Sequence, residues 1–451
     1  MLLAWIVFAL MIGLAIYDIK KAILIWLPCR LLFNAQIALK YSAPIISLDI
    51  ATTTFLLLFY FIKCHGKNRK FNFTTFDYVF MPIFIAYFLS YFFSFITSDI
   101  PINTSRINSS IKFFIRNFGL LYLLQKALNT EKDIKFFIKT CAIVIFFITG
   151  LGIFQAISGD NPFLDYVYYN SPQNEATKGR MFYVPPGVYN SSHLRFGMRR
   201  ICSFFSFHVP FGTTCVFFFY LALTLIVKRW GYIKPKYLMI CAALLITGIF
   251  LSNSKQAAVG FAFMLLCFIK PKYIFNYRTL LVFCVLAIFL YCYPEYLNNF
   301  ISLTNEDLAE EGGGSTLELR KQQWLIAIDL FQKNPIFGNG PETLSYFRQF
   351  SDYEGILGAE SVWLKVLPQL GVFGACVYIF SLIYIFFRFK EIMPIAPLFF
   401  FLLSLFMIES GGGQKDMAIS FSMLYTVWRI FSLRGGLKSP QKATRYKMSY
   451  R

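Results

Sequence analysis

Apolar runs long enough to cross a bilayer recur from one end of this chain to the other, and they constrain its fold more than any single motif does. A hydrocarbon core about 30 Å thick takes roughly 20 helical residues to span. Runs of about that length fall at 1–17, 22–37, 46–62, 77–97, 111–127, 135–157, 201–227, 237–251, 255–269, 279–294, 363–387, 395–409 and 417–433. The expected fold class is therefore all-α, a polytopic membrane bundle of about 12–13 transmembrane helices. The first run, MLLAWIVFALMIGLAIY, lacks a basic leading segment and a small-residue cleavage site, so it reads as a retained helix. The first two runs could also be shortened, or form a hairpin that does not fully cross.

Composition agrees with that reading. Hydrophobic residues make up 57% of the chain, aromatics 20%, and the mean hydropathy is +0.57, more than a soluble core of 451 residues needs. The net charge of +20 is not a nucleic-acid footprint, because the basic residues sit in short clusters between apolar runs. One set is Lys63, Lys67, Arg69 and Lys70. Others are Lys228, Arg229, Lys234 and Lys236, then Lys270, Lys272 and Arg278, then Arg388 and Lys390, and finally the tail from Arg434 to Arg451. Positive loops face the cytoplasm. Thirteen spans with the N-terminus outside put every one of these clusters there. Ten Cys without a C-x-x-C pair, and only three His, argue against a disulfide framework or a zinc site. No metal and no cofactor is implied. Neither a P-loop nor a dinucleotide fingerprint occurs, and no internal repeat is visible.

The same topology divides the chain. Transmembrane helices occupy 1–157, a first long external loop 158–200, central helices 201–294, a second long external loop 295–360, C-terminal helices 361–433, and a basic cytoplasmic tail 434–451. The first third of the second loop holds Glu306, Asp307, Glu310, Glu311 and Glu318. Ser315-Thr316-Leu317-Glu318 then fits a capping box, and Asn334-Pro335 fits a stop, so an amphipathic helix is expected over about 316–333. Trp324, Ile328 and Phe331 fall at i, i+4 and i+7 and predict its buried stripe, with Arg320 on the same face. A chain whose sizeable polar regions are all external is expected to work on external material.

Candidate chemistry gathers at that face. Arg199 and Arg200 stand where the first loop enters a helix; they could anchor to headgroups, or bind a phosphate through the guanidinium fork. Lys255, in LSNSKQAAVGF, is either a functional charge at membrane depth or a solvated residue in a short break. Gly338 and Gly340 could bring backbone N–H groups onto an anion, or form a plain turn. Glu360 could take a proton from a sugar hydroxyl, or cap the next helix; Glu409 is a second external carboxylate.

Four segments in order resemble the O-antigen polymerase and ligase superfamily of bacterial envelope glycosyltransferases. RICSFF with HVPFG is similar to its arginine motif, and SNSKQAAVG to its short S-R-G-type element. RKQQWLIAIDLFQKNPIFGNGPETL is similar to its R-x-x-x-W…P-x-x-G-x-G loop motif, and AESVWLKVLPQLGVFG to the helix opening that follows. The resemblance covers about 196–385. This chain has Lys255 where members commonly have Arg, which keeps the charge and loses bidentate geometry. It has no His near Glu360, where the ligase branch has one, which favours the polymerase branch. The resemblance implies a GT-C-like enzyme in the bacterial cytoplasmic membrane, with its active site facing the periplasm or cell exterior. The implied substrates are an undecaprenyl-pyrophosphate-linked glycan donor and acceptor, and the product O-antigen, capsule or exopolysaccharide. Arg200 and Arg320 would hold the pyrophosphate with help from Lys255, Arg199, Trp324, Gly338 and Gly340, and Glu360 would serve the acceptor. A chain-length regulator is a plausible partner. A ligase or related oligosaccharide transferase, and a lipid-linked oligosaccharide flippase, are the alternatives.

Overall fold

With no water to bond in an apolar layer, each long apolar run satisfies its backbone by coiling, and helices dominate the chain. The computed structural model describes residues 2–33, 37–40, 46–65, 77–98, 104–170, 194–205, 208–268, 317–340, 362–389 and 415–433, with a few single positions between 295 and 343. Helix α1 (Leu2–Tyr17) turns at Asp18 into α2 (Ile19–Cys29) and packs against it. The Asp18 side chain accepts hydrogen bonds from the Lys20 and Lys21 amides and so caps α2.

Pro28 and a 3₁₀ turn over Arg30–Leu32 end α2 after 11 helical residues. At 1.5 Å per residue that is about 16 Å, too short to cross. The run expected at 22–37 is thus a short helix followed by an antiparallel hairpin of β1 (Ala38–Lys40) and β2 (Ile46–Ser47).

Helices α3 (Leu48–His65) and α4 (Asp77–Thr97) follow. Then α5 (Thr104–Phe114) runs through a π-helical turn (Ile115–Gly119) into α6 (Leu120–Ala127). The turn carries Arg116, whose guanidinium meets Asp49 of α3 at 3.0 Å and donates to Ser47 Oγ at 3.2 Å. Arg30 approaches the same carboxylate at 3.7 Å, so buried Arg30 and Asp49 and the partly buried Arg116 tie the end of α2, α3 and the π turn together.

Thr130 and Asp133 form a reciprocal capping box that starts α7 (Glu131–Ser158), and Gly159 ends it with φ 84°. The next stretch holds α8 (Pro162–Asn170) and a second hairpin, β3 (Leu194–Arg195) with β4 (Met198–Arg199). The remaining described helices are α9 (His208–Val227), α10 (Pro235–Leu251), α11 (Lys255–Phe268), α12 (Leu317–Lys333), α13 (Val362–Phe389) and α14 (Lys415–Leu433).

Helix α9 is the hub, packed by α7, α10, α11 and α14, with Phe211, Phe217, Phe218 and Tyr220 fully buried. Large apolar side chains also stand on the outside: Leu10, Phe146, Ile157 and Phe380 are 67%, 63%, 82% and 68% exposed. An apolar interior wrapped in an apolar exterior is what a lipid solvent requires. Among the described residues α7 and α9 are long and apolar enough to cross a membrane. Leu2–Tyr17, Met81–Thr97, Pro235–Leu251 and Val366–Ser381 form shorter apolar helices. The runs expected at 279–294 and 395–409, the acidic start of the second loop and the basic tail lie outside the described residues.

Candidate functional site

Two assemblies hold the residues singled out by sequence. The first begins at the β3–β4 hairpin. Gly159 leaves no side chain at the end of α7, and the Arg199 guanidinium lies in that space; a Cβ there would strike Arg199 Nη1. The cation thus sits over the negative end of α7, and Arg199 is a fastening residue of this junction.

Arg200 is buried at 7% exposure, and the backbone after it is clamped. The Ile201 N–H donates to the Leu251 carbonyl at 3.1 Å, joining this segment to the end of α10. Gln155 Oε1, on α7, accepts from the amides of Cys202 (3.1 Å) and Ser203 (3.0 Å) and from Asn161 Nδ2 (3.1 Å). Asn161 Nδ2 also donates to the Ser203 carbonyl, and Ser203 Oγ to the Ile148 carbonyl. Ser203 has φ 53°, a strained value for a non-glycine residue that this network holds in place.

Leu251 leads into the turn before Lys255. Ser252, Asn253, Ser254 and Gln256 are all buried, and Lys255, the first residue of α11, is half-buried. The break is therefore an interior feature, and the reading of Lys255 as a merely solvated residue does not describe it. Close packing assembles the place: Gly212 of α9 abuts Ser252 and Ala257, and the Phe211 ring fits between Gly152 of α7 and Gly248 of α10. Around this junction Thr213 Oγ1, Thr214 Oγ1 and Gln256 Oε1 are buried without a hydrogen-bond partner among the described residues. Buried polar atoms normally find partners, so their open bonding capacity makes this junction a candidate site for a polar ligand. The Lys255 charge adds to the positive N-terminus of α11.

The second assembly is the meeting of α4, α12 and α13. Helix α13 is broken at Gly371, where φ is 65° and ψ −168°. The freed backbone groups are met by residues 335–340. Asn339 N–H donates to Pro368 O at 2.8 Å and Gly340 N–H to Gln369 O at 3.0 Å; Val372 N–H donates to Pro335 O at 2.8 Å and Phe373 N–H to Ile336 O at 3.1 Å. Ser90 of α4 donates to Leu370 O at 3.1 Å, and Asn339 Nδ2 to Leu330 O at 2.6 Å.

Gly338 (φ 73°) and Gly340 (φ 78°) are thus needed for shape, and both N–H groups are committed to carbonyls, of Asn334 and Gln369. In this arrangement neither donates to an anion; the turn reading fits, and the anion cradle does not.

Helix α12 also differs from expectation. It spans Leu317–Lys333, but its buried face is Gln323, Ile326, Ala327 and Leu330. Trp324, Leu325 and Ile328 are 45%, 54% and 39% exposed, so the Trp324 stripe points away from α13 rather than into it. Arg320 belongs to the first turn of α12, about 20 Å along the axis from the 334–340 loop. Glu360 and Glu409 lie outside the described residues.

The structure therefore brings Arg200 and Lys255 to one junction, sets Arg199 beside it as a fastener, and groups Gly338 and Gly340 with the α13 break. Gln155, Asn161 and the unpartnered threonines were missed by sequence reading, since one amide near the end of an apolar run gives only a weak signal. Arg116 and Asp49 did carry a signal, as charges inside apolar runs.

Residues 240–379, less than a third of the chain, match the family model described as O-Antigen ligase. The match takes in most of α10, the turn before Lys255, α12, and the 334–340 loop with the α13 break; Arg199 and Arg200 precede it. It supports the O-antigen polymerase and ligase superfamily. No curated protein matches the chain.

Proposed function

We propose that this membrane protein, similar over residues 240–379 to the O-antigen ligase family, is a polysaccharide polymerase. It joins undecaprenyl-pyrophosphate-linked repeat units into O-antigen, capsule or exopolysaccharide at the external face of the cytoplasmic membrane. The observation that carries the reading is the Ile201–Leu251 backbone bond. It draws the Arg200 segment onto the turn before Lys255, beside buried hydroxyl and amide groups with open bonding capacity.

In this reading the growing chain is the donor and a single lipid-linked unit the acceptor. The acceptor hydroxyl oxygen attacks the donor's anomeric carbon, that carbon's bond to the pyrophosphate oxygen breaks, and undecaprenyl pyrophosphate leaves with the electron pair. Arg200 and Lys255, with Arg320 from α12, stabilise the charge that grows on the leaving group. Glu360 orients the acceptor hydroxyl and takes its proton. The donor carries its own leaving group, which accords with a sequence lacking nucleotide motifs.

A ligase is the second reading, favoured by the description of the matched family. The lack of any histidine between 209 and 451 favours the polymerase, since the ligase branch carries one near the position of Glu360.

Glycan profiles of a strain lacking the gene separate the readings. The polymerase predicts single repeats on the surface. A ligase predicts long polymer retained on the carrier lipid, and a flippase predicts repeats stranded inside; either result overturns the polymerase. Complementation with Arg200→Ala is expected to leave the single-repeat profile unchanged, although the protein inserts at wild-type level.

A further inference from the structure

Helices α7 and α10 lie side by side and are locked at one end, where Phe211 sits between Gly152 and Gly248. Between their N-terminal halves a cleft of about 680 Å³ opens. Its walls are apolar, with Ile143 and Phe146 on α7 facing Ile240 on α10. Its mouth is basic: Lys135 and Lys139 stand one turn apart on α7, and Lys234 comes from the link between α9 and α10. Among the described residues no carboxylate lines it.

Two acids open α7: Asp133 is committed to the Asn129 and Thr130 amides, and Glu131, one turn before Lys135, does not line the cleft. None of the ion pairs among the described residues involves these three lysines. Ile143, Phe146 and Ile240 are 57%, 63% and 54% exposed, so the cleft is open along its side to whatever surrounds the bundle.

We propose that this cleft is a binding site for an anionic phospholipid. Lys135, Lys139 and Lys234 hold the headgroup phosphate, and an acyl chain lies along Ile143, Phe146 and Ile240. Like charges one turn apart repel each other, and an anion between them turns that repulsion into attraction. Lysine stems run along apolar surface while their ammonium groups stay at headgroup level, and basic pockets between membrane helices suit anionic headgroups. A soluble anion would use the mouth and leave the apolar walls without purpose; a phospholipid uses both. The site is separate from Arg200 and Lys255, which lie at the other end of α7 and α10.

The test is thermal unfolding of the full-length protein in neutral detergent, with phosphatidylglycerol or phosphatidylcholine titrated into the micelles. Phosphatidylglycerol is expected to raise the midpoint in a saturable way and phosphatidylcholine is not. The triple variant K135Q/K139Q/K234Q loses that rise, whereas a control of equal charge, K20Q/K126Q/K228Q, keeps it. Ile240→Trp, which narrows the cleft and keeps every charge, weakens apparent phosphatidylglycerol affinity about tenfold, the scale of a lost apolar contact. The proposal is overturned by an equal rise with phosphatidylcholine or by survival of the rise in the cleft triple variant. A full rise with inorganic phosphate alone also overturns it, since that would make the mouth a simple anion site.

Discussion

At the scale of the residue, the junction stands on one side-chain oxygen. Gln155 Oε1 accepts three hydrogen bonds, two of them from the amides of Cys202 and Ser203 that follow Arg200. Leucine at 155 would fill similar volume and leave both N–H groups buried without an acceptor. Each such loss costs about 1–3 kcal/mol, so Gln155→Leu is expected to lower the unfolding midpoint of the purified protein by several degrees. If the protein is the proposed polymerase, polymer formation should fall with it even though Arg200 is intact. Gln155→Glu keeps the acceptor and should retain more polymer than Leu; equal loss in the two variants would separate Gln155 from the placing of Arg200. Under the proposed function Arg200 itself bears on chemistry. Arg200→Lys keeps the charge and loses the planar fork, and a lost anion-stabilising contact costs on the order of 10²–10³ in rate. A reconstituted chain-extension assay should therefore show a large fall in turnover for Arg200→Lys with little change in thermal stability.

At the scale of the element, the α13 break and the 334–340 loop are one unit. A Cβ on Gly371 would meet the Ile336 carbonyl, and its φ of 65° lies where side chains are rarely accommodated. Gly371→Ala is therefore expected to detach the loop from α13 and cut the yield of folded protein. Gly150→Ala in α7, where nothing lies within 4 Å of the added carbon, should be neutral or slightly stabilising. Detergent-extracted monomer measured by size-exclusion chromatography distinguishes them.

The end of α12 at Lys333 was legible because an Asn-Pro stop acts within a few residues, whereas the expected capping box at Ser315 and Thr316 lies outside the described residues. The buried face of α12 was not legible. Trp324–Ile328 and Ile326–Leu330 are both apolar stripes, and periodicity does not tell a stripe facing protein from one facing outward when the surroundings are apolar as well. Arg200 and Lys255 could be found as charges beside apolar runs. Their meeting could not, because it depends on one long-range backbone bond and on glycine contacts between helices far apart in sequence.

At the scale of the whole molecule, the N-terminal helices are tied by charge and the expected orientation is read from charge, and both can be tested. Arg30 and Arg116 share Asp49, whose side chain is 5% exposed. Removing one member of a buried pair typically costs about 3–5 kcal/mol, and here the buried charge left uncompensated is Arg30. Asp49→Ala is thus expected to destabilise the protein severely. If it unfolds at the wild-type midpoint, the cluster is not what joins α2, α3 and the π turn.

Orientation rests on the basic clusters between helices. Tyr169, on α8, is 72% exposed, and Gly231, between α9 and α10, is exposed with open space around it. They stand on opposite sides of the α9 hub, since α9 runs from the Arg200 junction down to the Gly231 link. If positive loops face the cytoplasm, a membrane-impermeant maleimide applied to intact cells will label Tyr169→Cys above the level of the parent protein and leave Gly231→Cys at that level until the cells are opened. Labelling of Gly231→Cys alone would invert the topology. It would place Arg200 and Lys255 on the cytoplasmic side, away from externally displayed repeat units, and would remove the physical basis for polymerisation at the outer face.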